Sequence, residues 1–335
     1  MITRREFVRA GAAGTALLLS ASSQQAKEEP AKLPQRPLGK TGVQVPILGL
    51  GTVALGNLPS EKDAIALLNK AIDLGVTYID TAPPKTRQAL MTGYNKAHKY
   101  ISAVLKERRK ELFVVTKCLE TDGTKTLDLV QSNLKELGLE QVDLLYTHSI
   151  GHATYEFADL IGDKGPMASL EKAKKDGLCR FVGITGHNRP EKFAQVIQKR
   201  DIDVMMNAVN VVDRHTYAFE DIVWPIARKK NIGLVAMKVF GGGGVGVGTP
   251  KMPDELRHAS FRFAQSIPGI ALTVIGMGNQ KELEQNVQWA KEIKPMTAEE
   301  ANELKKKTVA LAREWGAHLD RLDGKGEKTR PLINT

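Results

Sequence analysis

The chain has 335 residues, 42% of them hydrophobic and 26% charged, and carries a formal net charge of +10. That balance excludes a disordered or membrane-embedded chain and predicts a soluble globular protein with a sizeable core. The short basic clusters at Lys106–Lys110 and Arg228–Lys230 lack interleaved aromatics and fall at helix ends, where cations complement the dipole, so nucleic-acid binding is not expected.

Residues 1–23 read apart from the rest. Arg4 and Arg5 precede a weakly apolar stretch, Ala10–Ser23, that is too short and too rich in Gly, Ala and Ser for a stable transmembrane helix. Ala21-Ser22-Ser23 offers small residues for cleavage. The segment resembles a twin-arginine export signal. That resemblance implies the twin-arginine export machinery as a partner and a periplasmic or otherwise exported mature chain without stable membrane insertion. It also implies a cofactor inserted before export. A polar linker over 24–35, a folded body over 36–322 and a mobile tail over 323–335 complete the expected organisation.

In the body, Gly39-Lys40-Thr41-Gly42 separates two short β-prone runs and predicts a hairpin. Apolar strand-like runs then recur at Ile47–Gly49, Thr77–Asp80, Leu112–Lys117, Val142–His148, Phe181–Thr185, Val204–Asn210, Leu234–Lys238 and Ala271–Gly276. Helical patterns lie between them. Ser60 with Asp63 caps the first and Gly75 stops it, while Thr297 with Glu300 opens the last. Eight strand–helix repeats predict an α/β fold, a (β/α)8 TIM barrel with an N-terminal β-hairpin. A dinucleotide-binding sheet fits less well. Gly49-Leu50-Gly51 has no helix directly after it, and the glycines from Gly241 to Gly246 come late in the chain. In a barrel that later run follows the seventh strand, where backbone N–H groups can cradle a phosphate.

Four side chains fall at or after successive strand ends: Asp80, Tyr94, Lys117 and His148. Reversible carbonyl reduction needs an acid to protonate the nascent alkoxide, and a tyrosine serves if a nearby ammonium lowers its pKa. Lys117 supplies the charge, Asp80 holds the lysine, and His148 donates to the substrate oxygen. The hydride comes from a nicotinamide. No metal site is expected, because His148 and His152 lack a zinc-binding pattern. Cys118 and Cys179 have no CxxC partner and read as buried free thiols.

The strings RPLGKTGVQVPILGLGT, GVTYIDTA, LKERRKELFVVTK, QVDLLYTH, RFVGITGH, GLVAMK and VIGMGNQKELEQNV resemble the aldo/keto reductase family over Leu38 to Trp315. The resemblance implies an NAD(P)H-binding barrel that reduces aldehydes, ketones or sugars, or oxidises alcohols, with an Asp, Tyr, Lys and His tetrad. It also implies cofactor contacts from Thr185, Asn210, Lys238, Gly241, Gly242, Gly243, Gly244, Gly276, Met277, Asn279, Glu284 and Asn286. Three positions depart from the family pattern. Lys85 stands where the family places its tyrosine, and Tyr94 comes into register only across an insertion of about nine residues that holds Pro83, Pro84, Lys85 and Arg87. Val209 replaces the tyrosine that stacks on the nicotinamide, and Met206 replaces a glutamine upstream. Two classes of function follow: an exported NAD(P)-dependent oxidoreductase acting on a small-molecule carbonyl or alcohol, or a barrel that keeps the fold as a non-catalytic binding or accessory protein.

Overall fold

The structure is a computed structural model and describes residues 33–84, 94–242 and 250–320. The export-signal residues 1–23, Lys85, Gly243, Gly244 and the tail 323–335 lie outside the described residues.

The chain opens with β1 (Gln35–Pro37) antiparallel to β2 (Gln44–Pro46), Arg36 opposite Val45, with one turn of 3-10 helix between them. Gly42 leaves that turn at φ 73°, a left-handed conformation that favours glycine. The hairpin is a plug as well as a turn: Leu38 and Val45 are buried within the cluster that fills the barrel interior. Leu33, expected in the linker, is buried against the outer core instead.

Eight parallel strands follow and close on themselves: β3 (Leu48–Gly51), β4 (Tyr78–Asp80), β5 (Phe113–Cys118), β6 (Val142–Thr147), β7 (Cys179–Gly186), β8 (Val204–Ala208), β9 (Gly233–Met237) and β10 (Ile270–Gly276). The order is sequential, and β10 pairs with β3 through Val274 opposite Gly49. This is the (β/α)8 barrel. Its strands are continuous apolar runs because both faces are buried, one against helices and one against the barrel interior.

The helix Glu61–Asp73 shows how the outer layer forms. Ser60 accepts from the Asp63 amide at 3.2 Å, and Ala64, Leu67, Leu68, Ala71 and Ile72 make one buried face. Truncating a fully buried residue such as Leu68 to Ala removes about 2–5 kcal/mol. The last helix, Ala298–Trp315, opens with a reciprocal capping box between Thr297 and Glu300.

Aromatic rings fill the barrel. Tyr78 stacks on Phe113 at 5.2 Å and Phe113 on Phe181 at 6.3 Å, while the Tyr78 and Tyr146 hydroxyls meet at 3.3 Å. Gly183 makes room for this layer, since a Cβ there would stand 2.7 Å from the Tyr146 ring. Beyond Trp315 the chain turns back and buries Ala317–Asp320. His318 Nε2 lies 2.7 Å from Asp213 Oδ1, and Asn188 Nδ2 donates to Asp320 Oδ1 at 2.8 Å. Among the described residues no helix is long and apolar enough to cross a membrane. Cys118 and Cys179 are free and buried.

Candidate active site

The site lies at the C-terminal ends of the strands, where a (β/α)8 barrel collects its loops. Alternation along each strand decides which side chains look inward. Tyr78 and Asp80 on β4 share the inner face, as do Phe113, Val115 and Lys117 on β5, and Leu144, Tyr146 and, one step past β6, His148. Aromatic rings therefore form the floor, and the polar residue at the end of each series forms the site above it.

Lys117 organises it. Its side chain is only 1% exposed, and its ammonium donates to Asp80 Oδ2 at 2.6 Å, to the Thr81 carbonyl at 2.8 Å and to Tyr94 Oη at 3.3 Å. An ammonium has three protons and these are three acceptors, so its charge and direction are both fixed. The backbone holds Asp80 in turn, its carbonyl accepting from both the amide and the hydroxyl of Thr52 at 3.0 Å. Because Tyr94 Oη accepts from Lys117, its own proton points elsewhere. The Tyr94 ring meets His148 edge-on, centroids 6.4 Å apart. Sequence spacing placed Asp80, Tyr94, Lys117 and His148 at one rim, and the structure brings all four together; Lys85 falls outside the described residues.

The electrostatics differ from the expectation in one respect. Burial pushes the Tyr94 hydroxyl above the ordinary phenol range, and Lys117 opposes that shift without reversing it. Burial also raises the Asp80 carboxyl against the pull of Lys117. For Lys117, burial favours the neutral form, but Asp80 and Tyr94 outweigh it and the pKa rises. His148 is held well below the usual imidazole range by burial, then by Lys117, His187 and Lys238, and is neutral at pH 7. Asp80 Oδ1 and His148 Nδ1 are buried without a partner among the described residues. Unsatisfied polar atoms at a strand-end rim are a mark of a working site.

Two further groups bear on this centre, both helping to hold the His148 imidazole neutral. His187 continues the inner series of β7, two residues past Thr185, and Lys238 follows β9 on a left-handed backbone at φ 57°. His187 is absent from the residues singled out in the sequence, although its spacing from Thr185 was the available signal.

The positions implied for a nucleotide divide into three groups. Thr185 Oγ1 accepts from the Ser149 amide at 3.2 Å and keeps its own proton to donate. Gly241 and Gly242 sit at φ 60° and 62°, and a Cβ on Gly241 would meet Trp315 and the Pro250 carbonyl at 2.7 Å. Gly276 is exposed at the end of β10, Met277 is buried, and Asn279 caps the helix Gln280–Lys291 by accepting from the Glu282 amide. These residues stand at the C-terminal ends of β7, β9 and β10, and the start of the helix Gln280–Lys291 adds unpaired backbone N–H groups of the kind that suit a dinucleotide's phosphates. Asn210 is committed elsewhere: its amide donates to Asp213 Oδ2 and the Lys238 carbonyl, and its oxygen accepts from the amides of Val212 and Asp213. It holds the loop after β8 together. Glu284 is exposed beside Gln280, and Asn286 is buried. Val209 and Met206 are both buried, Val209 in the outer core and Met206 in the barrel interior. Among the described residues no group of three or more His, Cys, Asp or Glu is placed to hold a metal ion.

The model of the aldo/keto reductase family matches residues 47–254. A D-threo-aldose 1-dehydrogenase of a Pseudomonas species is 26% identical over 313 residues, covering 74% of this chain and 90% of that protein. The L-galactose dehydrogenase of Arabidopsis thaliana is 29% identical over 167 residues, a match that spans 46% of this chain and 49% of that enzyme. Among solved structures, a protein assigned as an aldo-keto reductase from Pseudomonas aeruginosa superposes with a TM-score of 0.64 at 26% identity, covering 77% of this chain and 95% of that one. With the family match running from the first barrel strand to the start of the helix that precedes the last barrel strand, this chain belongs to the aldo/keto reductase family of oxidoreductases.

Proposed function

We propose that the protein interconverts a carbonyl and an alcohol by hydride transfer, with Tyr94 as the general acid and base and NAD(P)H as the cofactor. The observation that carries this reading is the clamp on Lys117, whose three protons are shared among Asp80, Thr81 and Tyr94. A nicotinamide, when bound, supplies the hydride. The strand-end residues Thr185, Gly241, Gly242, Gly276, Met277 and Asn279 are the ones that would hold it.

The side chains account for the proton. Tyr94 is protonated at neutral pH, as any phenol near its ordinary pKa is, and burial shifts it further that way; this is the form needed in reduction. Negative charge developing on the substrate oxygen draws that proton from Tyr94, and neutral His148 offers a second hydrogen bond to the same oxygen. The phenolate left on Tyr94 faces the Lys117 ammonium, and the Asp80 carboxylate keeps that ammonium charged and in place. Oxidation of an alcohol runs the same path backwards, with the phenolate as base. Loss of reduced-nicotinamide absorbance on mixing the purified protein with NADH or NADPH and a panel of aldehydes, ketones and sugars tests the reading. Absence of turnover with every carbonyl, and of alcohol oxidation with the oxidised cofactors, would refute it.

The reading extends to location. Arg4, Arg5 and the small apolar stretch behind them support export through the twin-arginine machinery, with the mature chain starting near Gln24 in the periplasm or its equivalent. Replacing both arginines by Lys traps a fused reporter inside the cytoplasmic membrane; unchanged export of that variant refutes the assignment.

A further inference from the structure

Three members of the tetrad are fixed by the barrel itself. Asp80 and Lys117 lie on ladder-bonded strands, and His148 stands one step past β6 with its amide donating to the Cys118 carbonyl at 2.8 Å. Tyr94 has no ladder. It precedes the helix Ala97–Arg108 by three residues, and its hydroxyl meets the Lys117 ammonium at 3.3 Å, the long end of a hydrogen bond. A small displacement of this helix start breaks that contact. A cavity of about 360 Å³ opens beside it, lined in part by Asn95, His98, Ser102 and Glu136, so packing alone does not hold the turn on that side.

Two devices hold it instead. The chain at Gly56 comes so close that a Cβ there would collide with the Tyr94 carbonyl and stand 3.0 Å from the Ala97 amide, and the Lys96 amide donates to the Gly56 carbonyl at 3.4 Å. From the helix, His98 reaches back to the strand that carries Lys117. Its side chain is 3% exposed, with Nδ1 2.7 Å from Glu136 Oε2 and Nε2 3.3 Å from Oγ1 of Thr116, the residue before Lys117. A carboxylate only accepts, so Nδ1 donates, while a hydroxyl serves Nε2 as donor or acceptor. The helix that supplies Glu136, Gly123–Leu137, also grips the lysine: Asn133, one turn earlier, donates to the Lys117 carbonyl at 3.0 Å. The backbone that carries Tyr94 and the backbone that carries Lys117 are thus joined behind the site by way of one buried imidazole.

We propose that His98 is a positioning residue for the proton transfer: by tying the Tyr94 turn to Thr116 and Glu136, it sets the distance between the phenol and the Lys117 ammonium. The inference rests on the oxidoreductase reading above, with Tyr94 as the acid. Without the strut the helix start relaxes into the cavity and the phenol leaves the ammonium. Lys117 opposes the rise that burial imposes on the Tyr94 hydroxyl, so a longer contact makes the phenolate harder to form. Lys117, Asp80 and His148 are the titratable groups that face Tyr94 among the described residues.

The test uses the full-length enzyme with para-nitrobenzaldehyde and para-nitrobenzyl alcohol. His98→Leu fills the buried space and removes both bonds. It is expected to lower kcat by about 10- to 100-fold, with KM and nucleotide affinity within about threefold of the wild type, and to move the rising limb of the alcohol-oxidation pH profile to higher pH. His98→Asn, whose amide can still donate to Glu136, should recover at least about threefold of the kcat lost to Leu. Thr116→Val keeps the shape of the strand and should give a several-fold loss with the same direction of pH shift, and it decides the matter alone if His98→Leu does not fold. In a Tyr94→Phe background, His98→Leu should add less than about twofold. Unchanged kcat and pH profile in His98→Leu and Thr116→Val, with only stability lowered, would overturn the proposal, as would a His98→Leu loss that recurs in full beside Tyr94→Phe. Absence of turnover of any carbonyl or alcohol by the wild type would instead refute the oxidoreductase reading itself.

Discussion

Replacing Lys117 by Met keeps most of the apolar stem and removes the ammonium from a place where it is 1% exposed. The variant loses hydrogen bonds to Asp80 at 2.6 Å, Thr81 at 2.8 Å and Tyr94 at 3.3 Å, and leaves Asp80 as a buried carboxylate with no counter-charge within bonding range. Removing one partner of a buried ion pair costs about 3–5 kcal/mol. The loss should depend on pH in a defined direction. Burial already raises the Asp80 carboxyl with Lys117 present, and without the ammonium it rises further. A carboxyl whose folded pKa lies above its unfolded value makes the native state the better proton binder, so stability falls as pH rises between the two values, by about 1.4 kcal/mol per pH unit. Lys117→Met is therefore expected to be least damaging near pH 5 and most damaging near pH 8. Adding Asp80→Asn removes the stranded charge and should recover about 1–3 kcal/mol at pH 8. Urea unfolding of the wild type, Lys117→Met and the double variant at the two pH values measures these differences. A Lys117→Met loss below about 1 kcal/mol at pH 8, or an Asp80→Asn change that adds its own penalty on top, would refute the buried-pair argument.

His148 titrates in the unfolded chain near pH 6.5 but is held neutral in the fold by burial, so stability should fall as pH drops below about 6.5, and His148→Gln should flatten that acid slope by about 1.4 kcal/mol per pH unit. A slope identical to the wild type would show that His148 protonates freely in the fold. At the start of the helix Gln280–Lys291, the Glu282 carboxylate accepts from the Gly278 amide at 2.7 Å and would repel a 2′-phosphate bound there, so NADH should bind more tightly than NADPH. Glu282→Gln should narrow that preference by about 3- to 10-fold in fluorescence titration, and tighter binding of NADPH to the wild type would contradict it.

The barrel was legible because buried parallel strands read as short apolar runs between turn signals, and each expected run falls within about two residues of a strand. The same property hides the interior. A run that is apolar on both faces does not say which residues look inward, so the stacked Tyr78, Phe113 and Phe181 and the glycine at 183 that admits Tyr146 emerge only in three dimensions. Asp80, Lys117 and His148 stand at strand ends, where the chemistry of the side chain breaks the apolar pattern, and so were visible. Tyr94 was harder, because an insertion shifts it away from its strand. His187 could have been found by counting two residues on from Thr185, but the glycine between them reads as a strand end. Asn210 also breaks the apolar pattern at a strand end, but what its amide does, bonding its own loop and the Lys238 carbonyl, is visible only in three dimensions. The buried return of Ala317–Asp320 had no sequence signal, since its contacts with Asn188 and Asp213 join positions more than 100 residues apart.

The central claim is that Tyr94 carries the proton. Tyr94→Phe keeps the ring against His148 and removes only the hydroxyl that Lys117 touches at 3.3 Å. Turnover of a reducible carbonyl should fall by roughly 10²- to 10⁴-fold, about 3 to 5 kcal/mol in the barrier, while nucleotide affinity stays near that of the wild type. Near-normal turnover in Tyr94→Phe, with Lys85→Met producing the large loss instead, would contradict the account and move the acid to the other side of the insertion.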